Sequence, residues 1–260
     1  MERIYQFDVP VEADSIDSPI VQYGGDASAI HFTTTDHQWG RVTFERLDSI
    51  KVSRGEHEPF PRASGEPYNW VSTISESEWL KSRHEYESEH YGRSCNFGGN
   101  VDEMLTEYCH YLLSFHDEFV EAIAAGIWID TDSVMLTSKP TSGHPLNGIA
   151  HIDEFEQIEA HGIVCQVRRN PLPTEQIERN ARLCSQTLLE VGANLDGSVN
   201  TNWRLTHREI NGTSRTFLRN YFGNSVQTYN QIPTLDEIRP LIDQWLFEVR
   251  ERRRKMGKSS

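Results

Sequence analysis

Polar and apolar positions alternate with a period of two over much of the first fifty residues. The runs IYQFDVP, ASAIHFTTT, GRVTFER and SIKVSRG are short and rich in β-branched and aromatic residues, as half-buried strands are. Turns near residues 35–40 and 47–48 would join them, so an antiparallel meander is expected over residues 3–54. Pro59, Pro61, Gly65 and Pro67 mark a loop, and YNWVSTI (68–74) is a further strand. The period then lengthens. A helix is predicted over 76–90, with Ser75 and Glu78 at capping-box spacing and Gly92 beyond its end. Asn96 to Asn100, with Gly98 and Gly99, reads as a turn.

Residues 104–130 form the most apolar stretch. Tyr108 to Phe115 is predicted as a strand. The following HDEFVEAIAAG fits either a helix capped by Asp117 and ended by Gly126, or a hairpin strand running into IWI (127–129). The β signals on both sides favour the hairpin. Residues 130–150 contain two prolines, two glycines and many hydroxyls, the composition of a long connection.

Beyond it, NPLPT leads into a predicted helix over about 175–191. Ile177, Ala181, Cys184, Leu188 and Val191 recur at helical spacing, and Gly192 stands at the C-terminal cap. Residues 203–222 read as a hairpin around Asn211–Gly212, a strong turn signal. A last helix is placed within 235–255, with Ile238, Leu241, Ile242, Trp245, Leu246 and Val249 on one face. Thr234 and Glu237 have capping-box spacing, but Pro240 lies deep for a helix starting there, so a turn is expected to precede the true start. The basic end, RERRRKMGKSS, sets cations at the negative pole of the helix dipole and reads as a frayed tail.

These elements define an α+β fold: a mainly antiparallel β N-terminal part, then a helix–β-hairpin–helix C-terminal part. The expected division is 1–135 (acidic, mainly β, one helix), 136–150 (connection) and 151–260 (basic hairpin and C-terminal helix).

Charge sharpens this division. The 260 residues carry 25 Lys+Arg and 39 Asp+Glu, a formal net charge of −14. Residues 1–160 hold 10 basic and 29 acidic residues, and residues 161–260 hold 15 and 10, so the parts carry −19 and +5. So acidic a chain is a poor general ligand for nucleic acid, whose phosphates need a positive field. No apolar run approaches the length of a membrane helix, and MERIYQFDVPVEADS lacks the apolar core of a signal peptide. A cytoplasmic protein is therefore expected. Cys95, Cys109, Cys165 and Cys184 form no C-x-x-C and no zinc-finger spacing, and read as small buried hydrophobes with free thiols.

Familiar catalytic motifs fail. Met256–Ser259 ends like a phosphate-binding loop, but Arg252 stands where its first glycine belongs. His84, Glu85 and His90 are spaced too widely for a zinc-protease helix, and Asp130–Thr131–Asp132 is too short to be specific. There is no G-x-S-x-G and no G-x-G-x-x-G. No metal or cofactor is called for. His110, His116, Asp117 and Glu118 form the densest polar cluster in an apolar stretch. They suit acid–base chemistry or metal ligation, against the plainer alternative of a turn beside a buried histidine.

The hairpin poses the main question. A two-residue turn at Asn211–Gly212 sets Arg208 opposite Arg215 and Arg204 opposite Arg219, with Phe217 among them on one face. Trp203, Leu205, His207 and Leu218 take the other. Like charges directly opposite are unfavourable by about 0.2–1 kcal/mol per pair. Compensation would come from the acidic first part, from a partner protein (a basic one would suit the acidic part) or from an anionic ligand stacked on Phe217. The remaining alternative is four solvated arginines. Two functions follow: a non-catalytic interaction or regulatory protein of the inhibitor or immunity type, or an enzyme or sensor that takes a phosphorylated or nucleotide-like anion at Arg204, Arg208, Arg215, Phe217 and Arg219.

Overall fold

The period-two segments of the first part build two antiparallel sheets packed face to face. A computed structural model describes residues 1–6, 8–14, 16–24, 28–62, 69–90, 103–137, 155–194, 199–220 and 225–256. One sheet has five strands in the order β1 (Arg3–Gln6), β6 (Val71–Ser75), β7 (Cys109–Ser114), β8 (Glu118–Ala124), β5 (Ser49–Arg54). The other has four: β2 (Ile20–Gln22), β3 (Ala29–Thr33), β4 (Trp39–Glu45) and β9 (Gly126–Asp132). Alternate residues of β7 (Cys109, Tyr111 and Leu113) join Ile30, Phe32, Val42 and Phe44 of the four-stranded sheet in the main core. Leu112 points to the other face, beside Ile4, Ile74 and Phe119. That outer face is covered by α1 (Glu78–His90) and α2 (Glu103–Glu107), through Trp79, Leu80 and Met104, with Tyr108 just after α2.

The hairpin reading of residues 117–125 holds. β7 and β8 pair antiparallel across a turn at His116–Asp117, closed by Phe115 N–H to Glu118 O at 2.9 Å.

The second part is a six-stranded antiparallel sheet: β10 (Glu156–Ala160), β11 (Ile163–Arg169), β12 (Gln186–Asn194), β13 (Val199–Ile210), β14 (Thr213–Asn220) and β15 (Ser225–Tyr229), in sequence order. The Asn211–Gly212 turn has positive φ at both residues (51° and 72°), the conformation that matches strand twist, and the expected register is realised throughout. Helix α4 (Leu235–Met256) lays Ile238, Ile242, Trp245, Leu246 and Val249 against Val191, Trp203, Leu205 and Leu218.

Mostly antiparallel sheet with a helix near the C-terminus is thus the architecture, but helix–hairpin–helix is too coarse for the second part. The helix predicted over 175–191 ends early. Helix α3 covers Thr174–Ala181, and residues 186–194 are strand β12. Leu188 and Val191 fit a helix face, whereas Leu189 and Val191, two apart, fit a strand face. Pairing on both sides, with β11 and β13, gives this backbone more partners than a helix would leave exposed. Gly192 accordingly lies at a register shift in β12 and is no helix cap. The cap of α1 is also displaced. Ser75 remains in β6, paired with Arg3, and Ser77 Oγ accepts the Leu80 N–H at 3.0 Å. In α4 no turn intervenes. Thr234 and Glu237 form the capping box, and the helix runs through Pro240. Pro240 and Asp236 are both exposed, so the carbonyl deprived of its helical N–H faces water. The predicted end at Gly92, the turn at 96–100, Cys95 and most of the 136–150 connection lie outside the described residues. No helix among the described residues is long and apolar enough to cross a membrane.

The two parts meet where the chain passes from β8 to β9. Gly126 bridges to Cys184, and the Ile127 N–H donates to Leu183 O at 3.0 Å. A Cβ at Gly126 would lie 2.4 Å from Cys184 Cβ and 2.8 Å from Cys184 Cα. Gly126→Ala must therefore push the two parts apart. It is expected to lower stability by about 1–3 kcal/mol in urea unfolding, whereas Gly162→Ala, which meets open space at a surface turn, should show only the smaller strain of its positive φ.

Candidate functional site

The arginine face of β13–β14 turns toward the first part, and its four arginines meet four fates. Arg219 is buried. Its Nε donates to Glu107 Oε1 at 2.9 Å, while Arg46 Nη2 donates to Glu107 Oε2 at 2.6 Å. Arg208 is fully buried. Its Nη2 donates to the Tyr111 hydroxyl and contacts Cys109 Sγ at 3.3 Å, and Tyr111 donates to Leu183 O at 3.0 Å. Arg204 is half-buried and pairs with Glu190 at 2.8 Å within its own sheet. Arg215, nearest the tip, is exposed and has no carboxylate partner among the described residues. Phe217 is buried, with the Arg219 guanidinium 5.6 Å above its ring. The Arg204–Arg219 pair is thus compensated by Glu190 and Glu107, the Arg208–Arg215 pair meets no carboxylate among the described residues, and Arg208, Phe217 and Arg219 offer no surface to a ligand.

Titration follows this geometry. Burial would raise the Glu107 carboxyl, but Arg46 and Arg219 outweigh it and hold Glu107 below the usual carboxylate range. Glu45, nearly as buried, lacks such a fork. Burial pushes it up to about 6 against the attraction of Arg46 and Arg208. Cys184 is raised to about 12 chiefly by burial, so its thiol is inert, and Cys109 and Cys165 are likewise buried and free of disulfides.

A cleft of about 530 Å³ opens beside the hairpin tip. Arg3, Tyr5, Ser75, Asn211, Thr213 and Arg215 are among its lining residues. Arg3 is exposed and, like Arg215, has no acidic partner among the described residues. Glu76 also lines the cleft, but its carboxylate lies 3.6 Å from Lys81 Nζ. A smaller cavity of about 190 Å³ adjoins it, sharing Glu76, Leu105, Ile210 and Asn211 and adding Ser77 and His110.

The polar cluster of the β7–β8 hairpin is dispersed. His116 and Asp117 form the exposed turn and pair at 2.7 Å, and Glu118 faces Arg54 at 3.3 Å. His110 is buried on the outer face, edge-on to Phe60 and Trp79. Its Nδ1 lies 2.9 Å from Ser77 Oγ and its Nε2 2.9 Å from Glu121 Oε2. Sequence reasoning found His110 but missed Ser77, Glu121 and Arg3. Hairpin register could have found Glu121, since a turn at 116–117 sets residues 110 and 121 on one face. Nothing local marks Ser77 or Arg3.

No protein family, curated protein or solved structure matches the chain.

The Glu107 fork predicts a large loss on neutralisation. Glu107→Gln removes the carboxylate that joins buried Arg219 to Arg46, at an expected loss of about 3–5 kcal/mol in urea unfolding at pH 7. Because the folded carboxyl is held below its unfolded value, its stabilisation is complete above the unfolded pKa. It disappears as pH falls through the depressed folded pKa. Wild-type and Glu107→Gln unfolding curves should accordingly converge in strong acid.

Proposed function

We propose that this protein binds a small carboxylate- or phosphate-bearing ligand in the cleft at the hairpin tip. One observation carries the proposal: Arg3 and Arg215, far apart in the chain, line one cleft, and neither has a carboxylate partner among the described residues. Planar guanidinium groups suit paired contacts to anionic oxygens, and Tyr5 and Thr213 add hydroxyl donors among the lining residues. Arg215 is the member of the hairpin set that an anion reaches. A protein partner is the second reading. The surplus of 29 acidic over 10 basic residues in 1–160 favours it, because Arg208 and Arg219 offset little of that excess.

Thermal melts separate the two. Inorganic phosphate, succinate and a nucleoside diphosphate are each added at constant ionic strength, with chloride as control. A ligand at tenfold its Kd should raise the melting temperature by about 3–6 °C. Arg215→Ala or Arg3→Ala should remove most of that rise while leaving the ligand-free melt within about 1 °C, since both side chains are exposed. An equal response in wild type and both variants would eliminate the cleft as the binding site.

A further inference from the structure

We propose that Ser77, His110 and Glu121 form a nucleophile relay that hydrolyses short acyl esters carrying an anionic group. The substrate's charge rests on the proposal that Arg3 and Arg215 hold an anion. The relay itself stands on separate geometry.

The direction of the hydrogen bonds is fixed by chemistry. The hydrogen bond from His110 outweighs burial, which acts the other way, and with the attraction of Lys51 holds Glu121 below the usual carboxylate range, so it is an acceptor only. His110 must then donate from Nε2, at 2.9 Å. With that tautomer Nδ1 is the acceptor for the hydroxyl of Ser77, whose Oγ lies 2.9 Å away. The hydroxyl thus already points its proton at a base whose far side is anchored by a carboxylate. This is the geometry that nucleophilic catalysis by serine requires.

The backbone presents this hydroxyl at a bend. Strand β6 ends at Ser75, Glu76 takes φ of 53°, and Ser77 caps the thirteen-residue helix α1. A positive φ at glutamate is strained, and strain of this kind collects where a fold must aim a functional group. The positive end of the helix lies beside the attacking hydroxyl itself, which accepts the Leu80 N–H at 3.0 Å. Ser77 and His110 both line the 190 Å³ cavity, which adjoins the Arg3–Arg215 cleft. The shared walls at Glu76, Leu105, Ile210 and Asn211 would let a short acyl group seated in the cavity direct an attached carboxylate or phosphate toward the cleft.

The reaction balances with water alone. Ser77 Oγ bonds to the ester carbonyl carbon as its proton passes to His110 Nδ1. The bond to the alcohol oxygen breaks, and that oxygen takes the proton from His110 and leaves. Water then attacks the acyl carbon and gives its proton to His110. The Oγ–carbon bond breaks, Ser77 recovers its proton and a carboxylic acid departs. Ser77 and His110 are the catalytic residues, and Glu121 is a positioning residue.

A fluorophosphonate probe tests the relay, because it bonds to an activated serine oxygen with loss of fluoride. Peptide mapping of the labelled wild-type protein should place the label on Ser77. Ser77→Asn, which keeps a helix cap without a hydroxyl, should abolish it, and His110→Gln should slow it at least about 100-fold. Glu121→Gln should slow labelling and move the midpoint of its pH profile downward, a change that a purely structural carboxylate would not produce. Wild-type protein that takes no label at Ser77 overturns the relay, whatever the variants do. The substrate class is read from 4-nitrophenyl acetate and 4-nitrophenyl hemisuccinate. Arg215→Ala should raise KM for the hemisuccinate alone, by about tenfold. Labelling at Ser77 with no preference between the esters keeps the relay and overturns the anionic substrate. Phosphate binding without labelling does the reverse.

Discussion

The burial of arginine against phenol and carboxylate joins the two halves of this molecule. Arg208 and Arg219 project from a β-ribbon into the first part, where Tyr111, Glu107 and Arg46 meet them. Removing two guanidinium groups from water costs several kcal/mol each unless their donors are matched. Glu107 supplies that match for Arg219 with a carboxylate oxygen for each of its two arginines. Arg208 is less completely served, since its Nε and Nη1 have no hydrogen-bond partner among the described residues and Glu45 Oε2 is likewise unmatched. The interface therefore holds one well-paired cluster and one under-paired cluster, the latter kept in place by the close approach of Gly126 to Cys184.

This junction also organises the outer surface. Arg208, opposite Arg215 near the tip, and Arg219 further down the ribbon dock it on the first part, and at the tip Asn211 Oδ1 accepts the Thr73 hydroxyl at 2.9 Å. The cleft with Arg3 and Arg215 and the cavity with Ser77 and His110 both lie at that overlap. Neither would exist without the docking, since Ile210 and Asn211 form a wall of each. The candidate chemistry and the packing of the two parts are thus one structural fact.

Elements whose signal is local were legible in the sequence. The Asn211–Gly212 turn fixed a full ribbon register because a two-residue turn leaves no freedom of pairing. The apolar face of α4 was legible because five of its residues repeat at helical spacing over three turns. Residues 186–191 were not, because Leu188 and Val191 suit a helix face while Leu189 and Val191 suit a strand face, and the decision lay with β11 and β13 on either side. The site was legible only in fragments: Arg215 as one of four arginines, and His110 within a cluster whose other members turned out to form a surface turn.

The amino-acid sequence by itself determined the strand-rich first part, the hairpin register, the C-terminal helix and the opposition of like charges, since each follows from side-chain period or turn chemistry among near neighbours. Tertiary structure alone decided which arginines are buried, which stay accessible, and that Ser77 stands against His110. Those outcomes depend on contacts between residues tens of positions apart, such as Glu107 with Arg219 and Ser77 with His110. Periodicity describes which face of an element a residue occupies, but only packing determines what stands opposite that face.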